Sequence, residues 1–557
     1  MIERVQTSSK IPVVCVLLLT GVVYLAALGF NFVYDDHLQI VTSPAVHSWG
    51  YLPTFFTGHV WQDAQPGAKA TYYRPMFRVW LLINYKLFGL SPAGWHLTNL
   101  LVHLTATLLL YLLVIRLAGN RMTAAIAALV FGIHPVHIEP VVWVSGVTEP
   151  LLGALLLGAM LAYPNRRGLS LMLFFAALME KETAVVFPAI LFAWELFFRS
   201  RVRTALVAAL PYGALAVLYL VIRAAVLHGV TMALTHSPVP LAVVASTLPS
   251  VLLFYLQHLV WPWMLSPFYD VNFVFRAGLW NFAMPSAVVA TMGVLLLWGA
   301  RRSRAAAIAC VLLVLPLLPV LWLRVFAGEE LVHDRYLYFP SMGFAILVAI
   351  AVRKFTPVAQ CILVPAAAGL MFWGTIAQSG VWENDLSLFR HGVAEAPHNS
   401  LASHCLAVEL GRLGLYREAI PYMRTSVEHS PRSFEANVTL GIFYYHVADY
   451  ENAEIYLDRA LKLRPNISRI PYAYLGYAQM EQGHLDLAEQ VIRRGLAIEP
   501  LDRDRTLIHA ALGAVLKCKG DLRGALEAFR AEPPDRLRAL AIREEMADIQ
   551  ERLEARE

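Results

Sequence analysis

The chain has 557 residues, of which 58% are apolar and 15% are charged. A typical soluble domain is about 45–50% apolar and about 25% charged, so this composition excludes a disordered scaffold and a simple cytosolic enzyme. The formal net charge of +5 is spread along the chain without a basic tract, which argues against nucleic acid as a partner. The five cysteines show no metal-binding spacing and no disulfide framework.

Long apolar segments precede Gln378 and predict an N-terminal membrane domain. A helix needs about 20 apolar residues to cross a hydrocarbon core about 30 Å thick. The pattern predicts about eleven spans, at residues 11–30, 95–117, 122–141, 147–163, 169–178, 183–198, 204–227, 279–300, 305–326, 336–352 and 358–378.

Positive charges predict the orientation of these spans, because Lys and Arg concentrate in cytoplasmic loops. Arg4 and Lys10 precede the first span, and eleven crossings place the later basic clusters in the cytoplasm as well. We therefore expect a multi-pass protein of the inner membrane with a cytoplasmic N-terminus and a periplasmic C-terminal domain. Counting the apolar segment 241–261 would move Arg301 and Arg302 outside, so we expect a re-entrant or interfacial element there.

A repeat of about 34 residues follows the membrane domain. Pro397, Pro431, Pro465 and Pro500 recur at this spacing, with small residues between them at matching positions. The period is typical of the helix–turn–helix tetratricopeptide repeat, in which small residues let two helices approach closely. We therefore predict an all-α chain with a multispan domain at 1–380 (long outer loop 31–94), a linker helix at 381–397, about four repeats at 398–534 and a C-terminal capping helix at 535–557.

Ionisable residues at a membrane edge are costly and are therefore candidates for function. Asp35 and Asp36 follow the first span, and one of the two carboxylates could serve as a general base. The alternative is a solvated loop in which an aspartate caps a helix.

Basic residues near other predicted outer ends could bind a phosphate or carboxylate, because positioned cations stabilise such anions. The candidates are Arg74, Lys181 and Arg335. The alternatives are an arginine that snorkels among aromatic residues, or internal ion pairs such as Lys181 with Glu182 and Arg335 with Glu329.

The segment 134–139 carries His134, His137 and Glu139. Two histidines and a glutamate could hold a metal, but Pro135 breaks the helix geometry that a helical histidine pair would use. Hydrogen bonding to a polar substrate or within the bundle is the favoured interpretation.

The order of these motifs resembles the transmembrane-and-tetratricopeptide-containing O-mannosyltransferases, of the GT-C fold, and their bacterial relatives. The resemblance covers nearly the whole chain and rests on segments 34–36, 73–75, 95–103, 134–139, 180–182 and 334–341, followed by the repeats.

This resemblance implies a GT-C glycosyltransferase that moves a sugar, such as mannose, from a polyprenyl-phosphate donor to a Ser or Thr hydroxyl of an extracytoplasmic protein. It implies inversion at the sugar, no cofactor and no metal, with acceptor proteins recruited by the repeats. The implied roles are base for Asp35 or Asp36, binding of the donor phosphate for Arg335, Arg74, Lys181 and His137, and binding of sugar or acceptor for His134, Glu139, Glu182 and Tyr336. The alternatives are a non-enzymatic membrane-anchored scaffold, or a lipid-linked glycan polymerase or ligase.

Overall fold

The computed structural model describes residues 11–62, 72–199, 201–229, 239–326, 328–499, 508–532 and 539–555. Within these ranges the chain forms helices and connecting loops without a strand, which confirms the predicted all-α class. The chain divides into two compact units, Met1–Glu395 and Ala396–Glu557. Arg4, Lys10, Pro500 and the predicted start of the capping helix at 535 lie outside the described residues.

The N-terminal unit is a bundle of α-helices joined by short 3-10 and π-helical turns. Its α-helices are α1 (Ile11–Val23), α2 (Thr54–Thr57), α3 (Pro75–Phe88), α4 (Pro92–Ala118), α5 (Arg121–Gly132), α6 (Ile138–Val142), α7 (Thr148–Ala162), α8 (Arg167–Glu180), α9 (Phe187–Arg199), α10 (Val202–Leu227), α11 (Leu241–Val260), α12 (Met284–Ala300), α13 (Arg304–Val314), α14 (Pro340–Val352), α15 (Pro357–Ser379) and α16 (Asp385–Glu395).

Seven helical segments of the described chain are long and apolar enough to cross a membrane, which makes this a multi-pass membrane protein. They are Ile11–Gly29, Pro92–Ala118, Val144–Ala162, Val202–Leu227, Leu241–Val260, Leu279–Ala300 and Pro357–Trp382. An eighth candidate combines Arg121–Gly132 and Pro135–Val142, which meet at a bend of 55°. The other predicted spans correspond to the shorter helices α8, α9, α13 and α14. The number of eleven spans stays a prediction.

Helix α11 continues unbroken through Pro249 for 20 residues, over the segment expected to be re-entrant or interfacial. Proline removes one backbone hydrogen bond, but packing of the helix offsets that loss. Val251, Phe254 and Leu259 are buried in a cluster with residues of the 317–337 segment. Helix α11 meets the length and apolarity requirements for a span. The re-entrant or interfacial interpretation stays a prediction.

The C-terminal unit consists of consecutive helix pairs. Its helices are α17 (Ser400–Arg412), α18 (Tyr416–His429), α19 (Phe434–His446), α20 (Tyr450–Leu463), α21 (Ile470–Glu481), α22 (Leu485–Leu496), α23 (Ile508–Lys519), α24 (Leu522–Ala531) and α25 (Ala539–Glu554).

The paired helices approach closely at small residues. A Cβ atom on Gly441 of α19 would lie 2.6 Å from Cγ of Leu457 in α20, which is closer than real carbon atoms come. At the turn between α21 and α22, Gly483 has a φ of +80°, a conformation that L side chains rarely adopt. These glycines explain the spacing of small residues in the repeat, and the four helix pairs confirm the predicted α-solenoid.

Candidate active site

A cavity of about 550 Å³ in the N-terminal unit brings together most of the predicted site residues. The members that line it are Asp35, Arg74, Glu139, Lys181, Glu182, Arg335 and Tyr336. Asp36, His134 and His137 are not among its lining residues. Residues from distant parts of the chain therefore meet in one place, as the prediction of a shared polar site requires.

Asp35 lies in the turn after the first span, is partly buried and lines the cavity. Among the described residues, no hydrogen bond or ion pair holds this carboxylate. Burial raises the pKa of Asp35 to about 7, although the positive charge of Arg335 opposes the increase. A carboxylate in such surroundings is suited to accept a proton near neutral pH.

Asp36 has different surroundings, although it is the next residue. It is fully buried, and both of its carboxylate oxygens accept hydrogen bonds. Oδ2 accepts from the backbone N–H of Val33 at 3.1 Å, and Oδ1 accepts from the backbone N–H and the hydroxyl of Ser145 at 2.9 and 2.5 Å. Burial raises the pKa of Asp36 to about 6, while the hydrogen bonds from Ser145 lower it. Asp36 therefore ties the turn to the helix that begins near Ser145.

Arg74 precedes α3, and a glutamate fixes its guanidinium group. Its Nε and Nη2 donate to the two carboxylate oxygens of Glu182 at 3.0 and 2.6 Å, in a bidentate pair. Burial alone would raise the pKa of Glu182, but the charge of Arg74 overcomes that effect and lowers the pKa to about 2. Nη1 of Arg74 has no hydrogen-bond partner in the described part of the chain and remains able to donate to a ligand.

Lys181 and Arg335 are also held by glutamates. Nζ of Lys181 contacts the carboxylate of Glu149, and Nη1 of Arg335 contacts the carboxylate of Glu139. The backbone N–H of Arg335 donates to the same glutamate at 2.9 Å. Both cations lie close to the Tyr336 ring, with Lys181 Nζ at 5.2 Å and Arg335 Cζ at 5.4 Å from its centroid.

The cations thus form internal ion pairs, as the alternative interpretation expected, but their partners are different glutamates. Arg335 pairs with Glu139 rather than with Glu329, and Lys181 pairs with Glu149 rather than with Glu182. Because each carboxylate leaves some N–H donors of its cation unused, pairing fixes the positions of the cations without closing them to an anion.

His134 and His137 are fully buried and make hydrogen bonds within the helix bundle. Nε2 of His137 lies 2.8 Å from the Ser341 hydroxyl, and Nε2 of His134 lies 3.0 Å from the carbonyl oxygen of Leu259. These contacts match the alternative of hydrogen bonding within the bundle. The roles that the resemblance implied for the two histidines stay predictions.

The cavity also contains residues that the sequence analysis did not select. Arg223 of α10 and Glu330 add charged groups to its wall. Arg223 could have been found, because an arginine inside an apolar span is itself a signal of function. The wall has an apolar portion as well, formed by Leu220, Pro319, Val320, Trp322, Val325 and Phe326.

This combination of groups can support a substitution at a centre that bears an anionic leaving group. A carboxylate without a hydrogen-bond partner in the described chain can accept a proton, and three oriented cations can stabilise negative charge. Electrostatic stabilisation of this kind is strongest in a partly water-excluded site. The apolar wall offers contact surface for a lipid chain.

Comparison with known proteins identifies similar sequences and one repeat family. Residues 434–467, which include α19 and α20, match the tetratricopeptide repeat family. Protein O-mannosyl-transferase TMTC3 of Homo sapiens is 24% identical over 87% of this chain and 60% of its own length. Protein O-mannosyl-transferase TMTC1 of Homo sapiens is 27% identical over 75% of this chain and 55% of its own length.

A protein O-mannosyl-transferase of Caenorhabditis elegans is 25% identical over 71% of this chain and 59% of its own length. The chain therefore spans between 55% and 60% of the length of these relatives. Among solved structures, a thermophilic tetratricopeptide-repeat protein of Thermus thermophilus matches 33% of this chain and 96% of its own, with 22% identity and a TM-score of 0.26.

Proposed function

We propose that this chain, a member of the family of transmembrane and tetratricopeptide-repeat-containing protein O-mannosyl-transferases, is a membrane glycosyltransferase. Its donor is a polyprenyl-phosphate sugar, with mannose as the sugar, and its acceptor is a Ser or Thr hydroxyl of a protein. The observation that supports this proposal most is the cavity in which the Asp35 carboxylate shares one space with Arg74, Lys181 and Arg335.

In the proposed reaction Asp35 is the general base. It accepts the proton of the acceptor hydroxyl while the hydroxyl oxygen forms a bond to the anomeric carbon of the sugar. The bond between that carbon and the phosphate oxygen breaks, and its electron pair leaves with the lipid phosphate. A single displacement of this kind inverts the anomeric centre. We choose Asp35 over Asp36 because hydrogen bonds from Val33 and Ser145 already occupy the Asp36 carboxylate.

The three cations stabilise the departing phosphate. Arg74, Lys181 and Arg335 are held in place by glutamates before substrate arrives, so little reorganisation is needed as negative charge develops. No metal ion is required in this scheme. Glu139, Glu182 and Tyr336 line the same cavity and are proposed to contact the sugar or the acceptor.

The repeat unit is proposed to recruit acceptor proteins. Tetratricopeptide arrays form extended surfaces that bind partner chains. Because both units belong to one chain, binding of an acceptor to the repeats raises its effective concentration at the cavity. In this proposal the cavity and the repeats face the periplasm, and the N-terminus is cytoplasmic.

The matched pair Asp35→Asn and Asp36→Asn tests the proposed base. Each variant is expressed in a strain from which the gene for this chain has been deleted. Transfer of mannose from a polyprenyl-phosphate donor to protein is then measured in the membranes of that strain by glycopeptide mass spectrometry. Asp35→Asn is expected to lower transfer by about 100-fold or more, as loss of a general base commonly does. Asp36→Asn keeps the side-chain size and one oxygen acceptor, so a smaller loss is expected. Full activity of the Asp35→Asn membranes contradicts the proposal.

A further inference from the structure

The turn that contains Asp35, after the first span, is hydrogen-bonded to residues 383–385, near the C-terminal end of the N-terminal unit. Among the described residues, three hydrogen bonds join the two segments. The backbone N–H of Asn31 donates to the carbonyl oxygen of Glu383 at 3.0 Å. The Asp385 carboxylate makes the other two, because Oδ1 accepts from the backbone N–H of Tyr34 at 2.8 Å and Oδ2 lies 2.7 Å from Nε2 of His37.

These two contacts lie on either side of Asp35 in the sequence. Tyr34 directly precedes the proposed base and His37 follows it by two residues, so the Asp385 carboxylate binds residues on both sides of Asp35. Asp385 begins α16, and aromatic contact reinforces this attachment. The rings of Tyr34 and Phe389 pack edge to face with their centroids 6.0 Å apart.

The backbone of the turn needs such support. Tyr34 has a φ of +56°, in the left-handed region that residues other than glycine seldom adopt. A strained residue of this kind persists only where its surroundings fix it, and such residues often lie next to reacting groups. The hydrogen bond from the Tyr34 N–H to Asp385 is formed in this conformation, and the following residue, Asp35, lines the cavity.

We propose that Asp385 is a positioning residue that sets the direction of the Asp35 carboxylate by fixing both Tyr34 and His37 from α16. This inference rests on the proposed role of Asp35 as the base. Helix α16, which was predicted as a linker to the repeats, therefore also positions Asp35. Misplacement of a reacting group by about 1 Å can cost about 100-fold in rate, so a loss of this contact should appear in kcat.

The chain offers a graded set of variants. Asp385→Leu removes both acceptors, whereas Asp385→Asn keeps an oxygen for the Tyr34 N–H and places an amide donor opposite His37, whose ring can adopt the matching tautomer. The neighbouring Asn384→Ala is the control. Oδ1 of Asn384 accepts from the backbone N–H of Ser387 at 3.0 Å, so this variant weakens the start of α16 without removing either contact of Asp385 with the turn.

The test measures kcat and the donor KM for the purified full chain with a polyprenyl-phosphate mannose and a Ser/Thr peptide. Asp385→Leu is expected to lower kcat by about 10- to 100-fold, with a donor KM within about twofold of the wild-type value. Asp385→Asn should recover most of the activity, and Asn384→Ala should resemble the wild type. Wild-type kcat in Asp385→Leu, equal losses in Asp385→Leu and Asn384→Ala, or a loss seen only in KM overturns the inference.

Two further measurements keep this test decisive. Thermal unfolding is recorded for each variant, and if Asp385→Leu does not fold, His37→Phe replaces it. That variant removes one of the two contacts, so a smaller decrease in kcat is expected, and an unchanged kcat overturns the inference. Asp35→Asn is measured in parallel. Activity in Asp35→Asn contradicts the proposed function itself, whereas an inactive Asp35→Asn beside a fully active Asp385→Leu overturns only the positioning role.

Discussion

Sugar transfer by this chain should increase with pH through about pH 7, because Asp35 must lose its proton before it can act as a base. Burial raises the pKa of Asp35 to about 7, and the positive charge of Arg335 limits that increase. An ordinary exposed aspartate has a pKa of about 3.9 and would be ionised across the whole neutral range. With the ordinary pKa, Asp35 would give a transfer rate that does not change across neutral pH. With the raised pKa, the transfer rate depends on pH in this range.

The size of the effect follows from the titration of one group. A carboxyl group with a pKa of about 7 is about one tenth ionised one pH unit below that value and about nine tenths ionised one unit above it. If only the ionised form of Asp35 accepts the proton, kcat/KM should increase by about tenfold over that interval. An increase of kcat/KM with pH is expected because Asp35 acts as a general base, whereas a general acid would give a decrease.

The assay is kcat/KM for mannose transfer to a Ser/Thr peptide, measured with the full chain in lipid nanodiscs at constant ionic strength. Size-exclusion chromatography at each pH shows whether the protein stays folded. A midpoint near pH 7 on the rising side of the profile is expected. A flat profile across neutral pH, or a midpoint near the ordinary aspartate value of about 4, refutes the assignment of Asp35 as a base with a raised pKa.

Two further predictions concern stability. Asp35→Asn should raise the thermal unfolding temperature above about pH 7, where the wild-type chain carries a partly buried charge. The folded pKa lies above the unfolded one, so the wild type loses stability as the pH rises between the two values, and the advantage of the variant should shrink as the pH falls. Scanning fluorimetry at several pH values measures this, and an advantage that grows at low pH contradicts it. Gly441→Ala should destabilise the repeat unit by about 1–3 kcal/mol, because the new Cβ would lie 2.6 Å from Leu457 Cγ. Hydrogen exchange should show faster opening of α19 and α20, and unchanged protection of these helices contradicts the packing described.

The sequence predicted the parts of the fold that depend on local patterns. Apolar length identified the principal spans, and a period of about 34 residues identified the helix pairs, because the packing at Gly441 lies within one repeat. The packing of α11 was not predictable, since its buried residues contact residues far away in the chain. The number of spans depends on packing as well as on apolarity, and short helices such as α8 do not reveal it through length alone.

The site was predictable in its residue types but not in its pairing. Costly charges at the membrane edge pointed to Asp35, Arg74, Lys181 and Arg335, all of which line the cavity. The partner of Arg335 could not be read from the sequence, because Glu139 lies 196 positions away.

The choice between the adjacent aspartates also needed the structure. The two residues are adjacent in the sequence, and the hydrogen bonds from Val33 and Ser145 distinguish Asp36 from Asp35. Asp385 was likewise overlooked, because a polar residue in a presumed linker gives no sign that it contacts a turn about 350 residues earlier.

Reconstituted transfer with defined substrates tests the central claim most directly. Purified full chain in nanodiscs is incubated with synthetic polyprenyl-phosphate mannose and a Ser/Thr peptide, without added metal and with a chelator present. Mass spectrometry should detect a mannosylated peptide whose anomeric configuration, read by NMR, is inverted relative to the donor, and the Asp35→Asn protein should form almost none. An absence of glycopeptide with the wild-type chain, or equal amounts with the wild-type and Asp35→Asn chains, contradicts the account.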